Sequence, residues 1–142
     1  EFPAEIENLY TIVDDATTLR QLEDGSVRSM SALCSLEHFG LGRYGDPIDA
    51  EACFKCFENI QKKLQKGGNL YLSVPIGKER VEFNAHRVFF ASTIIDCFHG
   101  LELKEFSCVF DGKIEYDVDI HKYDDDPHNG EWRYGLFHFC NS

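Results

Sequence analysis

Two short stretches gather the side chains that could do chemistry. One holds Glu82, Asn84, His86 and Arg87, flanked by Val81, Phe83 and Val88. His86 could take a proton near neutral pH, where imidazole titrates. Glu82, Asn84 and Arg87 could then hold a polar substrate beside it. The competing reading is a buried hydrogen-bond network that only fixes a loop. The other stretch is Glu37-His38, followed by Gly40, Gly42, Arg43, Gly45 and Asp46. Glu37 or His38 could act as a general base on a hydroxyl or amine. Alternatively, Glu37 caps the glycine loop and His38 packs. Arg43 could clamp a carboxylate or phosphate in its planar fork, with Asp46 on the same substrate side. In the plainer reading Arg43 pairs with Asp46 across a flexible connector. The closely spaced glycines imply unusual backbone angles or a close approach.

Two further patterns point away from chemistry. Cys53 and Cys56 form a lone CxxC in mid-helix, whereas a redox pair needs its first cysteine at a helix N-terminus. No second CxxC completes a zinc site, so core packing is the expectation. His121, Asp124, Asp125, Asp126 and His128 could hold a hard cation, but EF-hand spacing is absent. A solvated acidic loop is expected there.

Regular elements must position these groups. Leu9 to Val13 reads as a short strand stopped by Asp14-Asp15. Ser26 to Leu36 suits a buried strand. Ile48, Cys53, Phe57, Ile60 and Leu64 recur at helical spacing, with Asp49 as N-cap, lysines near the C-terminal end and Gly67-Gly68 as the stop. Leu70 to Val74 is the next strand, which Pro75 should end. Ser92 could cap a short helix through Phe98. Phe106 to Phe110 and Ile114 to Val118 flank Asp111-Gly112, a two-residue hairpin signal. A last aromatic strand runs from Trp132 to Phe139. Strands separated by helices imply parallel pairing, and the closing strands imply an antiparallel edge.

Composition narrows the partners. The formal net charge of −11 repels phosphate backbones, which argues against nucleic acid. It also argues against an electrostatic membrane dock. A small-molecule or sugar substrate is easier to reconcile. The six cysteines are read as reduced thiols, and a cytoplasmic setting is expected.

The residues carry a resemblance. Asp15-Ala16-Thr17-Thr18-Leu19, Glu23-Asp24-Gly25-Ser26-Val27 and Leu36-Glu37-His38 resemble the middle of class I S-adenosylmethionine-dependent methyltransferases. Leu64 to Val74 (LQKGGNLYLSV) resembles that superfamily's entry to its fifth strand, with Gln65-Lys66 in place of the usual lysine-proline. Leu36 to Asp49 (LEHFGLGRYGDPID) and Val74 to Phe89 (VPIGKERVEFNAHRVF) are similar to an uncharacterised methyltransferase-like domain family known in bacteria and nematodes. The resemblance covers roughly residues 10 to 110.

The resemblance implies an α/β, Rossmann-like methyltransferase-type sheet forming one domain over residues 1–142. It implies S-adenosylmethionine as cofactor, with Asp15 and Ala16 at the adenine, although a plain turn after a strand explains that pair equally. The superfamily's first strand, its glycine-rich loop and the acidic residue after its second strand have no counterpart here. Those parts hold the amino-acid and ribose portions of the cofactor. The superfamily orders its strands 3-2-1-4-5-7-6, so this chain would supply strands 3 to 7 with the first two missing. A gap would then open between strands 3 and 4. Three solutions follow: the chain is the C-terminal part of a longer protein, strand 3 slides beside strand 4, or another chain fills the gap, as in a homo-oligomer formed through the unpaired edge. The first is the expectation. A non-catalytic binding or scaffold module is the alternative to a transferase.

Overall fold

The computed structural model describes residues 6–125 and 130–142. In chain order the elements are β1 (Val27–Leu33), a 3-10 turn (Leu36–His38), α1 (Ala52–Lys63), β2 (Leu64–Ile76), β3 (Arg80–Val81), β4 (Arg87–Val88), α2 (Ala91–Cys97), β5 (Glu102–Phe110), β6 (Lys113–Glu115) and β7 (Arg133–Cys140). Five strands form one mixed sheet in the order β1-β2-β7-β5-β6. β1 and β2 run parallel. β7 is antiparallel to both β2 and β5. With the superfamily's strands 4, 5, 7 and 6 as β1, β2, β7 and β5, the expected order 4-5-7-6 is present, and β6 is an added hairpin strand.

α1 forms because Cys53, Cys56, Phe57 and Ile60 fall on one face and are all buried. That face packs on Leu70, Leu72 and Val74 of β2, and α2 adds Ile94. Phe57, Phe98 and Phe139 meet at ring-centroid distances of 5.1 Å, a spacing at which aromatic pairs attract beyond their buried area.

Several boundaries differ from the sequence expectation. The helix begins after Glu51, not at Asp49, whose carboxylate instead accepts from the Glu51 N–H and the Lys55 ammonium, and Ile48 lies outside the helix and exposed. It ends at Lys63 and passes directly into β2, so Gly67-Gly68 lies within that strand. Gly68 fits there because a Cβ would stand 2.8 Å from the Gln65 carbonyl oxygen. Pro75 does not end β2. It pairs opposite Tyr134, and its carbonyl accepts from the Phe89 N–H. α2 opens after Phe90 rather than at Ser92. The Asp111-Gly112 hairpin has both residues at positive φ, +48° and +69°, as a type I′ turn requires.

The N-terminal part departs most. Leu9 to Val13 forms no strand, and Leu9, Tyr10, Ile12 and Val13 are exposed. β1 is not the buried strand expected: Leu33 is 65% exposed. Strand 3 has therefore not slid beside strand 4, and among the described residues nothing pairs with the outer edge of β1. No helix of the described residues is long and apolar enough to cross a membrane.

Candidate functional site

A cleft of about 940 Å³ opens at the carboxyl end of β1. Ligands in open α/β sheets bind at such ends. One wall is Asp14 to Thr18, the floor is Cys34 and Ser35, and the far wall is His38 to Gly40 with Tyr44 and Asp46. The polar stripe of α1 closes the side with Lys55, Glu58, Asn59 and Lys62. These four share one helix face at the i, i+3, i+4, i+7 spacing.

The first wall is tied to α1. Cys56 Sγ donates to the Ala16 carbonyl at 3.1 Å, and Asn59 Nδ2 to the Thr17 carbonyl at 2.8 Å. Asp15 accepts from the hydroxyl and the backbone N–H of Thr17, and these bonds hold its carboxyl below the usual carboxylate range. Asp14 accepts from the N–H groups of Asp15 and Gln21.

The loop of the far wall is built around Asp46. Its carboxylate accepts from the N–H groups of Gly40, Gly42 and Tyr44 at 2.8, 3.3 and 3.3 Å. Burial opposes the charge, but these bonds prevail and hold the carboxyl below its ordinary range. Gly40 has φ +75°, and a Cβ there would stand 1.9 Å from the Asp49 carbonyl oxygen. The close approach expected of this loop is therefore real. Arg43 does not turn to Asp46. Its guanidinium donates to the Ala85 carbonyl and lies over the Tyr44 ring.

Loops 37–46 and 82–87 converge, since each follows the carboxyl end of one of the two parallel strands. His38 Nδ1–H donates to the Ala85 carbonyl at 2.7 Å. The His38 and His86 rings meet edge to face at 6.1 Å, and His86 meets Trp132 at 4.9 Å. Arg87 is buried and donates to the carbonyls of Phe39 (2.6 Å), Ala50 (3.3 Å) and Glu37 (3.4 Å). It clamps the loop from behind.

The two clusters nevertheless divide. Asp15, Ala16, His38 and Asp46 line the cleft, whereas Glu37, Arg43, Glu82, Asn84, His86 and Arg87 do not. Glu82 accepts from the Arg80 guanidinium at 2.6 Å, and Asn84 sits in the β3–β4 turn at φ +50°. Glu37 does not cap the glycine loop, because Asp46 does. Glu37 is only 2% exposed, its Oε2 has no hydrogen-bond partner, and Oε1 lies 3.7 Å from His38 Nε2. Burial pushes its carboxyl above the usual range. Burial likewise pushes His86 below the usual histidine range, with His38 adding to the effect, and His86 Nε2 also lacks a partner.

Sequence reasoning missed Thr17, Cys34, Ser35, Tyr44 and the α1 stripe. The strand-end rule would have found Cys34 and Ser35 once β1 was ended at Leu33. The polar face of α1 was legible as a face, but not as the wall of a cleft.

The other cysteine and acidic patterns are separate. Cys53 stands in the first turn of α1, not in mid-helix as expected, yet both it and Cys56 are buried in the core, and burial pushes their thiols up to about 11 and about 12. All six cysteines are free, and Cys34 is exposed. His121 Nδ1–H donates to Asp124 at 2.7 Å. Asp126 and His128 lie outside the described residues. Among the described residues no group of three or more potential ligands is placed to hold a metal ion.

S-adenosylmethionine, the cofactor that the sequence resemblance implies, would find groups for its adenine side alone in the cleft. The small side chains of Cys34 and Ser35 leave the cleft floor open, and backbone and threonine groups of Asp14 to Thr18 form a polar rim. The described residues offer no glycine-rich loop for the amino-acid portion and no free carboxylate on a second strand for the ribose.

Solved structures agree on the fold. The (4+2)-cyclase SpnF has a TM-score of 0.59 at 14% identity, over 92% of this chain and 55% of its own. A SAM-dependent methyltransferase from Methanosarcina mazei has a TM-score of 0.57 at 13% identity, over 91% of this chain and 65% of its own. The chain thus spans less than two thirds of either protein. At such identities the likeness concerns the fold, which is the class I methyltransferase fold. No curated protein matches the sequence. A family model does, over residues 10–136, and the chain belongs to that family, DUF268, described as Caenorhabditis protein of unknown function.

Proposed function

We propose that this chain is the acceptor-side part of a methyltransferase-like protein that acts on a small molecule or sugar. One observation carries the reading: Asp15 and Ala16, which match the superfamily's adenine-contacting pair, and His38, from its fourth-strand motif, line a single cleft. Bound there, S-adenosylmethionine would supply an electrophilic methyl group. The chain's own residues do the rest. Asp15 and Ala16 hold the adenine edge. His38 is the base that faces the acceptor, with Glu37 and His86 behind it. Arg43 and Asp46 shape the acceptor side through their loop. Arg87, Glu82 and Asn84 hold that loop against the β3–β4 hairpin. In this reading the chain is one domain, and the glycine-rich segment lies upstream of Glu1 in the full protein.

A second reading is a non-catalytic binding module that keeps the fold. It is favoured by Asp14 and Asp15, whose carboxylates are turned onto the N–H groups of their own loop. Fold alone does not fix function, and one protein of similar fold is a cyclase. Titration calorimetry of the full-length protein with S-adenosylmethionine separates the two readings. Micromolar binding that Ala16→Trp weakens at least tenfold supports the transferase reading. No heat at millimolar ligand leaves the binding module.

A further inference from the structure

We infer that Glu37 is a positioning residue for His38: a buried carboxyl that stabilises the proton His38 takes up from the cleft on its Nε2 atom. The geometry fixes which nitrogen is free. Nδ1–H of His38 donates to the Ala85 carbonyl at 2.7 Å, so the neutral ring keeps its lone pair on Nε2. That atom lies 3.7 Å from Glu37 Oε1. The His38 side chain is partly exposed and lines the cleft, while the Glu37 side chain is 3% exposed.

A bare carboxylate with an unpartnered oxygen is costly when buried. Protonation of His38 converts that isolated charge into an ion pair, so the pair gains most when a proton arrives from the cleft. The other charged groups nearby act against it. Arg43 donates to the same Ala85 carbonyl, Arg87 donates to the Glu37 carbonyl, and the rings of His86 and Tyr44 meet His38 edge to face. Two cations disfavour a third. Among the described residues, Glu37 is the one carboxylate within ion-pair reach of His38. The arrangement is a base assembled from two groups, one facing the ligand and one facing the core. It rests on the reading of the cleft as an acceptor site only for the origin of the proton.

The test is the histidine side-chain NMR titration of the full chain, without cofactor, compared with Glu37→Gln. Loss of the carboxylate weakens the hold of His38 on its proton, so the midpoint of His38 is lower in the variant than in the parent chain. That of His121 stays, since its partner is Asp124. An unmoved His38 midpoint in a folded Glu37→Gln protein overturns the proposal. Should that variant not fold, His38→Gln provides the reciprocal measurement by carboxyl carbon NMR. The Glu37 midpoint then rises, because its cationic partner is gone, and an unmoved midpoint overturns the proposal equally. Calorimetry with S-adenosylmethionine can fail while this titration succeeds, so the two ideas fall separately.

Discussion

The sheet has two unlike ends. Around β2, β7 and β5 the strands are paired on both sides, and α1 and α2 cover one face, so Leu70, Val74, Ile76 and Phe139 are at most 1% exposed. At β1 and the segment before it, residues just as apolar stand in the open: Leu33 is 65% exposed, Val13 79% and Tyr10 84%. Apolar residues occur at both ends, and what differs is their neighbours. A strand-like run becomes a strand only where another edge accepts its hydrogen bonds. An apolar residue contributes stability only where something covers it.

Substitutions in the covered core have the largest effect. Phe57→Ala removes a ring packed between Phe54, Phe89 and Phe98. We expect a loss of about 3–5 kcal/mol in urea unfolding. A loss near zero would mean that the helix layer is not packed as described. Arg87→Met comes next. It keeps the buried stem but leaves the carbonyls of Phe39, Ala50 and Glu37 without their charged donor. The expected cost is about 3 kcal/mol, and the glycine loop should become more open to proteolysis than the β2–β7 pair.

How much of this was legible follows the same division. The helix at Ala52–Lys63, the Asp111-Gly112 turn and the last strand have local signals that agree with their surroundings, so sequence periodicity was enough. Leu9 to Val13 has the right local signal and, among the described residues, no strand beside it, which no local window can reveal. At the site, the convergence of residues 37–46 with 82–87 followed from parallel strands alone. The separate placements of His38, in the cleft, and His86, outside it, did not. They depend on the Ala85 carbonyl and on which side of the loop faces the cleft, and both are tertiary facts. Arg87 read as a ligand-binding group because its type suits one, yet its guanidinium is directed to backbone carbonyls.

A pH measurement sharpens the contrast at the junction of the two ends. Burial holds His86 below the ordinary histidine range. The folded state therefore binds this proton less readily than the unfolded state does. The contribution is fully present above the unfolded histidine value and is lost as pH falls through the lowered folded value. His86→Gln should remove that acid-side loss, so the stability profiles of the two proteins approach each other below about pH 6. A constant offset between them across this range would show that His86 does not titrate with unfolding.

The smallest expected effect is at the open end. Val13→Lys and Leu33→Lys alter side chains that touch little, so each should change monomer stability by no more than about 0.5 kcal/mol. The outer edge of β1 makes this pair informative, because unpaired edges recruit partners. A second copy of the chain or an upstream strand could occupy that edge. Sedimentation velocity distinguishes these occupants. A dimer that Leu33→Lys dissociates assigns the edge to a second copy, which would have to overcome repulsion between two chains of formal charge −11. A monomer whose Leu33 matters only when the chain is extended upstream assigns the edge to a strand of the same protein, and would make the exposed apolar run at Leu9 to Val13 a segment waiting for that strand's neighbour.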